Sequence, residues 1–489
     1  MTQLGEGVSP PEIDKPEEKE EEVKSVKIRY SVFFDGTLNN KTNINSRLLT
    51  VDESELTAEE KKTAKHLKSS MSPEEQKRAS GSYKENIGVD SYENGYTNIV
   101  KLERYIKTQP YGENDICLAS YIEGPGTRDE EDDDMPGYAL GISIPFLTHS
   151  GIKRKVKNGV SDVVAKMNKN HKAKDETIEL LTLDVFGFSR GAAGARYFIY
   201  KALLDGASVK QQLIDSGYKV KKVEFKFVGL FDTVSSHGFS FSNDTPALKL
   251  DSVAFAKQVV HLAAADEHRE KFSLTSILSA KGNKGIQVYL PGVHSDIGGS
   301  YRDNKPDGIE DGEKKLNVFW DMGSDSEDNA LKEKDRLIKS GWYTENEIEV
   351  VLSRHKRRGG ASHHHRSIQE ANLYAGRAKV SNQYSRIPLQ IMADLATENE
   401  IEFKPKLKAD EKISSSLSEV EQTLRNYLNT HKNCENKKEF TSNPDDWLDN
   451  KRPWLNDLRH DYFHFSAHHS LGLAPRIENG VRVRQVFKG

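Results

Sequence analysis

A serine between two glycines is the residue of this chain best suited to chemistry. Gly187-Phe188-Ser189-Arg190-Gly191 is a G-x-S-x-G pentapeptide that follows an apolar stretch and precedes an alanine-rich segment. In this motif a strand turns sharply into a helix, and the strained turn exposes the serine hydroxyl. Gly187 and Gly191 must be small because neighbouring backbone passes close to them. The pattern predicts a nucleophile at Ser189, although a tight turn without chemistry also explains the pentapeptide when it is taken alone.

A serine nucleophile needs a base, and the base needs a group that orients it. Asp232 directly follows the strand-like stretch 223–231, and His294 follows the strand-like stretch 286–290. α/β-Hydrolases carry their Ser, Asp and His in this chain order, each at the end of a strand. The coincidence of all three positions favours a triad over a tight turn. We therefore predict acyl transfer with Ser189 as nucleophile, His294 as base and Asp232 as the group that orients the base.

Other acidic and histidine side chains compete for the roles of acid and base. They are Asp244 and Asp266 for the acid, and His237, His261 and His268 for the base. Neither aspartate follows a clear strand, His237 is interpreted as a loop or substrate-side residue, and the last two histidines fall in a predicted helical stretch. Asp296, two residues after His294, either orients that histidine or only shapes the turn before Gly298-Gly299.

The donors that stabilise an oxyanion are predicted from position. The backbone N–H of Arg190, the residue after the nucleophile, is the first donor. The loop Asp35-Gly36, after the first strand, is expected to supply the second, because Gly36 lets backbone approach a substrate. The same stretch resembles the D-x-D-G-T motif of haloacid-dehalogenase-type phosphatases. Phe33 stands where that motif has its nucleophilic aspartate, which weakens the phosphatase interpretation.

Three further clusters could bind metal ions, but each has a simpler explanation. His363-His364-His365 fits an exposed polar tract. His460, His464 and His468 have the spacing of one helix face, where a zinc site is possible and a polar interior helix is favoured. The acidic loop 129–134 could attract calcium, although a solvated loop is the stronger interpretation. We expect neither a metal nor a cofactor.

The elements that must position these residues alternate along the chain. Strands are predicted at 27–34, 115–122, 178–186, 223–231 and 286–290, and helices at 97–107, 159–170, 191–204 and 253–264. This alternation predicts an α/β fold of the α/β-hydrolase type, with a mostly parallel sheet and helices on both faces. A largely helical cap and extension, with helices near 327–356 and 411–431, is expected to complete it.

The chain of 489 residues divides, on composition, into three parts. Residues 1–25 are predicted to be a disordered acidic segment, 26–302 a catalytic core with a helical insertion near 46–92, and 303–489 a helical cap and extension. The net charge of −4 argues against a nucleic-acid partner. Neither a secretory signal nor an apolar run long enough to span a bilayer is recognisable, so synthesis in a cytoplasm is expected.

Six motifs taken together resemble one known family. They are FFDGTLNN (33–40), YTNIVKL (96–102), YIEGPGT (121–127), GFSRGAAGAR (187–196), GLFDTV (229–234) and PGVHSDIGGSY (291–301). In this order they are similar to the α/β-hydrolase domain of the first family of bacterial type VI secretion lipase effectors. Beyond residue 302 the resemblance is looser, and LRHDYFHFSAHH (458–469) is its best point.

The resemblance implies a phospholipase A that cleaves acyl esters of glycerophospholipids in the membrane of a target cell. It matches Ser189, Asp232 and His294 to the family's nucleophile, aspartate and base. It also implies delivery by a type VI spike or tube component into the target's periplasm or membrane, and a cognate immunity protein in the producer. An esterase for other acyl esters and a non-enzymatic membrane-disturbing or secretion component are the alternatives. The acyl position, the headgroup, the lid and the oligomeric state are left open.

Overall fold

A computed structural model describes most of the chain. The described residues are 24–134, 150–169, 174, 176–235, 244–280, 284–310, 314–356, 367–432, 442–447, 452–469, 473–478 and 481–489. The predicted disordered segment lies almost wholly outside this part, as do His237 and His363-His364-His365.

A six-stranded parallel sheet forms the centre of the fold. Up to residue 290 the strands are β1 (Ser25–Phe34), β2 (Ile116–Ile122), β3 (Thr177–Phe188), β4 (Lys219–Phe231), β5 (Ala256–Ala264), β6 (Leu274–Thr275) and β7 (Gly285–Leu290). The central sheet has the order β2-β1-β3-β4-β5-β7, and every neighbouring pair is parallel. Its inner strands are apolar over most of their length because both faces of the sheet are covered. The predicted mostly parallel sheet is confirmed.

Helices cover both faces of this sheet. In chain order they are α1 (Lys41–Thr50), α2 (Ala58–Ser70), α3 (Pro73–Glu85), α4 (Asp90–Glu93), α5 (Asn98–Tyr105), α6 (Ile152–Lys169), α7 (Ser189–Leu203), α8 (Val209–Asp215), α9 (Thr245–Leu248), α10 (His294–Gly298), α11 (Ser326–Lys339), α12 (Arg386–Thr397), α13 (Lys406–Asp410), α14 (Ser418–Lys432) and α15 (Leu455–Tyr462). Helices α6 and α7 pack in one apolar cluster with the sheet, and α5 and α12 pack in the other. Helices α1 to α4 lie within 41–93, where the helical insertion near 46–92 is predicted.

The stretch predicted as a helix at 253–264 is instead β5, a strand of the central sheet. Ala256 to Ala264 pairs with β4 on one side and β7 on the other, and most of its side chains are buried. A short apolar run that is buried on both faces has no alternation of polar and apolar residues, so its sequence resembles a buried helix. The prediction was wrong for this physical reason.

The region after residue 302 contains the expected helices, and it also contains strands. A second sheet, antiparallel, has the order β11-β12-β10-β9 and is formed by β9 (Ile309–Glu310), β10 (Lys314–Met322), β11 (Ile348–Lys356) and β12 (Ser367–Ala375). The remaining strands are β8 (Lys305–Asp307), β13 (Arg377–Val380), β14 (Ile477–Glu478), β15 (Val481–Arg482) and β16 (Val486–Phe487). The helix expected over 327–356 therefore ends at Lys339, and the stretch that follows becomes strand β11.

Parallel strands end at one edge of a sheet, so residues that follow several of them meet there. Ser189 follows β3, Asp232 follows β4 and His294 comes four residues after the end of β7. Across the described ranges, no helix is long and apolar enough to cross a membrane.

Candidate active site

Ser189 occupies the turn between β3 and α7, and its backbone is strained. Its φ is 58°, in the left-handed region that a residue with a side chain seldom adopts. A Cβ added to Gly187 would lie 2.6 Å from Ala192 Cα, and one added to Gly191 would lie 2.0 Å from the Asp35 carbonyl oxygen. Both glycines are therefore required by close backbone, as the G-x-S-x-G motif predicts. The strained turn is the geometry expected of a nucleophile.

Asp232 lies directly after β4 and is fully buried. Its Oδ2 atom is 2.5 Å from His294 Nδ1, and its Oδ1 atom accepts a hydrogen bond of 2.8 Å from the Ala264 N–H. The Arg484 guanidinium contacts both carboxylate oxygens, with Nη1···Oδ1 at 2.6 Å and Nη2···Oδ2 at 2.8 Å. Burial alone would raise the pKa of Asp232, but Arg484 and His294 outweigh it and hold the pKa below its usual range. Asp232 is thus an anion held by one cation and two further donors.

His294 is the first residue of α10, and its ring lies beside the Ser189 turn. The ring centroid is 4.6 Å from that of Phe188, the residue before Ser189, and 5.1 Å from that of Phe272. The backbone N–H of His294 donates to Glu267 Oε2 at 3.3 Å. Burial lowers the pKa of His294 below 6.5, and the nearby Asp232 only partly offsets this. The imidazole is therefore neutral near pH 7, as a general base must be.

The structure brings the predicted orienting aspartate and the predicted base into contact, and the ring of Phe188, next to the predicted nucleophile, packs against the base. Within the described ranges, no hydrogen bond joins the Ser189 hydroxyl to His294. Such bonds are often long in proteins without substrate and tighten when substrate binds. The loop after Asp232 is tied to the serine turn, because the Val234 N–H donates to the Ser189 carbonyl at 3.3 Å. The roles of the three residues stay a prediction.

The loop after β1 lies against the first turn of α7, where the oxyanion donors are expected. Arg190 Nε donates to Thr37 Oγ1 at 2.6 Å, and the Asp35 carbonyl touches Gly191. Asp35 does not offer its own amide, because this N–H donates to the Ile122 carbonyl at 2.9 Å as a continuation of the sheet. The Gly36 N–H also has an acceptor already, the Asp35 carboxyl at 2.7 Å. The predictions of Asp35 and Gly36 donors are corrected on this point, while Arg190 stays a predicted donor.

The Asp35 side chain instead organises this loop. Its carboxyl accepts hydrogen bonds from Tyr121 Oη at 2.6 Å, Thr97 Oγ1 at 2.7 Å and the Gly36 N–H at 2.7 Å. Burial raises the pKa of Asp35 to about 6, although each of these donors acts to lower it. The carboxyl joins β2, the start of α5 and the Gly36 turn in one network.

The competing side chains have other partners. Asp266 Oδ2 accepts from the Gly292 N–H at 2.7 Å, and Asp244 precedes the short helix α9. His261 lies in β5, where its Nε2 accepts from the Thr233 N–H at 3.0 Å, so its role is structural. His268 is half-buried near Arg482, and loss of hydration and that cation lower its pKa to about 3.

The histidine series in the last part of the chain does not share one helix face. Helix α15 ends at Tyr462, so only His460 is helical. His464 Nδ1 lies 2.8 Å from Asp296 Oδ1, and its ring stacks on Tyr301 at a centroid distance of 3.6 Å. Asp296 therefore supports its own turn and His464, and among the described residues it makes no hydrogen bond to His294. Among the described residues no group of three or more His, Cys, Asp or Glu side chains is placed to hold a metal ion.

Arg484 and the pair Glu267–Arg269 are site residues that the sequence did not indicate. Arg269 binds the Glu267 carboxylate through Nε at 2.9 Å and Nη2 at 2.8 Å, and Glu267 in turn accepts the His294 N–H. Arg484 lies 252 positions after Asp232. The only sequence signal for it is an alternation of arginine and apolar residues in Val481-Arg482-Val483-Arg484, a pattern typical of any half-exposed strand.

Comparisons with known proteins bear on this site. Residues 201–320 match the family model described as "T6SS, Phospholipase effector Tle1-like, catalytic domain". The matched segment contains Asp232 and His294 and begins 12 residues after Ser189. No curated protein matches the chain significantly.

Two solved structures are similar to this chain. One is described as the Tle1 effector bound to the VgrG spike from the type VI secretion system, with 20% identity over 96% of this chain and 94% of that chain and a TM-score of 0.61. The other is an uncharacterised protein from Pseudomonas aeruginosa, with 17% identity over 86% of this chain and 52% of that chain and a TM-score of 0.37, too low to support an argument.

The two lines of comparison agree with the six motifs. The match to the solved effector extends over nearly the whole chain and shows a shared α/β-hydrolase-like fold. The family model adds a sequence match in the segment that carries two of the three candidate catalytic residues. The predicted resemblance is therefore confirmed: in the fold of the whole chain and in the sequence of residues 201–320, this protein resembles the Tle1-like phospholipase effectors of type VI secretion.

Proposed function

We propose that this protein is an antibacterial type VI secretion effector with phospholipase A activity, which hydrolyses acyl esters of membrane glycerophospholipids. The observation that carries the proposal is the contact of His294 Nδ1 with Asp232 at 2.5 Å, beside a strained serine turn. The match of residues 201–320 to the Tle1-like phospholipase effectors supports the choice of phospholipid as substrate.

The reaction proceeds through an acyl-enzyme. Asp232 accepts the Nδ1–H of His294, which leaves the lone pair on Nε2 to take the proton of Ser189 as its oxygen attacks the acyl carbonyl. The Arg190 amide stabilises the oxyanion. His294 then gives its proton to the leaving lysophospholipid, and water, activated in the same way, releases the fatty acid and restores Ser189.

The burial of the base and its acid partner suits this chemistry. His294 and Asp232 are 4% and 0% exposed, so their interaction takes place away from bulk water, where a hydrogen bond to a charged group is stronger. Asp232 stays ionised throughout, because its carboxylate is held by Arg484 as well as by the histidine. It stabilises the imidazolium that forms when Ser189 attacks.

The biological setting follows from the relatives. The similar solved effector is bound to a VgrG spike, and we propose a spike component as the carrier of this protein too. The target is then the phospholipid membrane of a recipient cell, reached from the periplasm, and a cognate immunity protein protects the producer. A cytoplasmic origin and the absence of a nucleic-acid partner are part of the same proposal.

Product analysis on a defined substrate tests the function. The purified protein is mixed with vesicles of a phosphatidylethanolamine that carries two different acyl chains, and mass spectrometry identifies the fatty acid and lysophospholipid released. We expect one or both acyl chains to be released, and Ser189→Ala to abolish release while circular dichroism shows an intact fold.

Ser46→Ala is the matched control, because it removes a buried hydroxyl in α1 that, among the described residues, bonds only within its own helix. This variant should retain wild-type activity. A fluorophosphonate probe should label the wild-type protein and Ser46→Ala, and should not label Ser189→Ala. Fatty acid release by a folded Ser189→Ala protein would overturn the triad, and hydrolysis of short esters without any of phospholipids would point to another ester substrate.

A further inference from the structure

The segment 481–489 connects the region after residue 302 to the centre of the candidate site. Arg482 Nε donates to Glu333 on α11 at 3.0 Å, and its Nη2 donates to the Val318 carbonyl in β10 at 3.0 Å. Two residues later, Arg484 points to the other side and binds Asp232. One short segment thus touches both the antiparallel sheet region and the candidate catalytic acid.

The rest of this segment is tied to the core. Strand β16 pairs in parallel with β6, and the Ser279 N–H donates to the Gly489 carbonyl at 2.8 Å. A Cβ added to Gly489 would lie 2.3 Å from Nη2 of Arg196, a buried residue of α7. The segment therefore has a fixed position relative to the helix that begins at Ser189.

Arg484 is immobilised by acceptors on all three guanidinium nitrogens. Besides its two bonds to Asp232, its Nε donates to the Phe272 carbonyl at 3.0 Å and its Nη1 to the Ala264 carbonyl at 3.1 Å. Its side chain is 6% exposed. The planar fork matches the carboxylate bidentately, which fixes the carboxylate plane as well as its charge.

We propose that Arg484 is a positioning residue for the triad: it holds the Asp232 carboxylate in the plane and charge state in which Oδ2 receives His294 Nδ1–H. This inference rests on the proposed function. Arg484 acts through Asp232 and does not reach the substrate. Arg484 thereby completes the site.

The consequence for the base follows from the charges around it. Arg484 offsets the negative charge of Asp232, so its loss leaves the carboxylate uncompensated beside His294 and favours the imidazolium. The acid limb of the pH profile for kcat/KM, which reports the base in the free enzyme, should then move to higher pH. The titratable and charged groups that face His294 are Asp232, Glu267 and Arg269. Those that face Asp232 are Arg484, His261, His294 and Tyr289.

The test compares Arg484→Gln with Arg484→Lys on a soluble short-chain ester and on phospholipid vesicles. In Arg484→Gln, kcat on the pH plateau should fall on the order of 10- to 100-fold, as for other residues that orient a catalytic group, with KM changed less than about twofold. The fall in kcat should stay below the roughly 10⁴-fold loss expected when the triad aspartate itself is replaced by asparagine. The acid limb should move up in Arg484→Gln and stay near its wild-type position in Arg484→Lys, which keeps the charge but has no fork.

Arg482→Gln is the control, because it removes the other arginine anchor of the same segment without touching Asp232. It should lower the midpoint of thermal unfolding and leave kcat and the acid limb unchanged. A folded Arg484→Gln protein with wild-type kcat and an unmoved limb would overturn the inference. If Arg484→Gln does not fold, Arg484→Lys decides: a kcat reduced at least about fivefold at constant KM supports the fork, and a wild-type kcat refutes it.

The inference and the proposed function fail in different ways. If the wild-type protein neither hydrolyses esters nor reacts with a fluorophosphonate probe at Ser189, the triad itself is wrong. If the wild-type protein does both and the arginine variants behave like it, only the role of Arg484 is wrong.

Discussion

Gly191 offers the sharpest test of how the serine turn is built. A Cβ at this position would lie 2.0 Å from the Asp35 carbonyl oxygen and 2.6 Å from the Phe34 carbonyl oxygen. A normal carbon–oxygen contact is about 3.3 Å. Gly191→Ala therefore requires the loop after β1 and the first turn of α7 to move apart by about 1.3 Å, because the Cβ would otherwise lie 2.0 Å from the Asp35 carbonyl oxygen. The atoms involved belong to backbone, which cannot swing aside as a side chain can.

This displacement should affect both stability and activity. Overpacking of this kind costs about 1–3 kcal/mol of unfolding free energy. A misplacement of about 1 Å in a catalytic group can cost on the order of 100-fold in rate. Because Ser189 and the predicted Arg190 donor lie in the first turn of α7 beside Gly191, we expect kcat of Gly191→Ala to fall by roughly that factor even in the fraction that remains folded.

Gly194→Ala is the matched control in the same helix. There the nearest atoms to an added Cβ are side-chain carbons of Val156, Phe34 and Ile152 at 3.6, 3.7 and 3.8 Å, which are ordinary contacts. Alanine is favoured over glycine inside a helix by up to about 1 kcal/mol, so this variant should be as stable as the wild type or more so. Urea unfolding and steady-state hydrolysis of a short ester measure both variants. Equal stability and activity of Gly191→Ala and Gly194→Ala would refute the close-approach argument.

Three further predictions follow from buried charges. Since burial lowers the pKa of His294, the acid limb of kcat/KM should lie below pH 6.5, and a limb above that value would contradict the assignment. Arg29 and Asp184 form a buried bidentate pair with Nε···Oδ2 at 2.6 Å. Asp184→Ala should lower the free energy of unfolding, measured with urea, by about 3–5 kcal/mol. Asp35 has its pKa raised to about 6, so its neutral form stabilises the fold at low pH, and this contribution is lost as pH rises through 6. The free energy of unfolding of Asp35→Asn, relative to that of the wild type, should therefore rise by on the order of 3 kcal/mol between pH 4 and 7. Urea unfolding at both pH values measures this difference, and a difference that does not change with pH would refute the prediction.

The parts of the fold that depend on local sequence could be predicted. The turn at Ser189 needs a strand, two glycines and a helix in succession, and all of these are adjacent in the chain. The positions of Asp232 and His294 at later strand ends were also predictable, because the strands before them are apolar and bounded by turn residues. Chain order then brings them to one edge of a parallel sheet.

The parts that failed depend on contacts between distant residues. Strand β5 has no polar–apolar alternation because the sheet covers both its faces, and only the sheet tells it from a helix. The Asp35 amide looked available from its glycine neighbour, but β2 supplies the Ile122 carbonyl that accepts it. Arg484 could not be assigned to Asp232 from any local pattern, since an arginine in a sequence of alternating polar and apolar residues has many possible partners.

The electrostatics of the candidate site explain why such distant residues are needed. A fully buried carboxylate is costly unless it is paired and hydrogen-bonded, and the neutral histidine beside Asp232 supplies no charge. Arg484 neutralises Asp232 on one side of His294, and Arg269 neutralises Glu267 on the other. With both carboxylates compensated, burial determines the protonation of His294 and keeps it neutral near pH 7, so that it can accept a proton from Ser189. The same buried pairs make the base sensitive to Arg484, which contacts neither Ser189 nor His294 by any hydrogen bond between described residues.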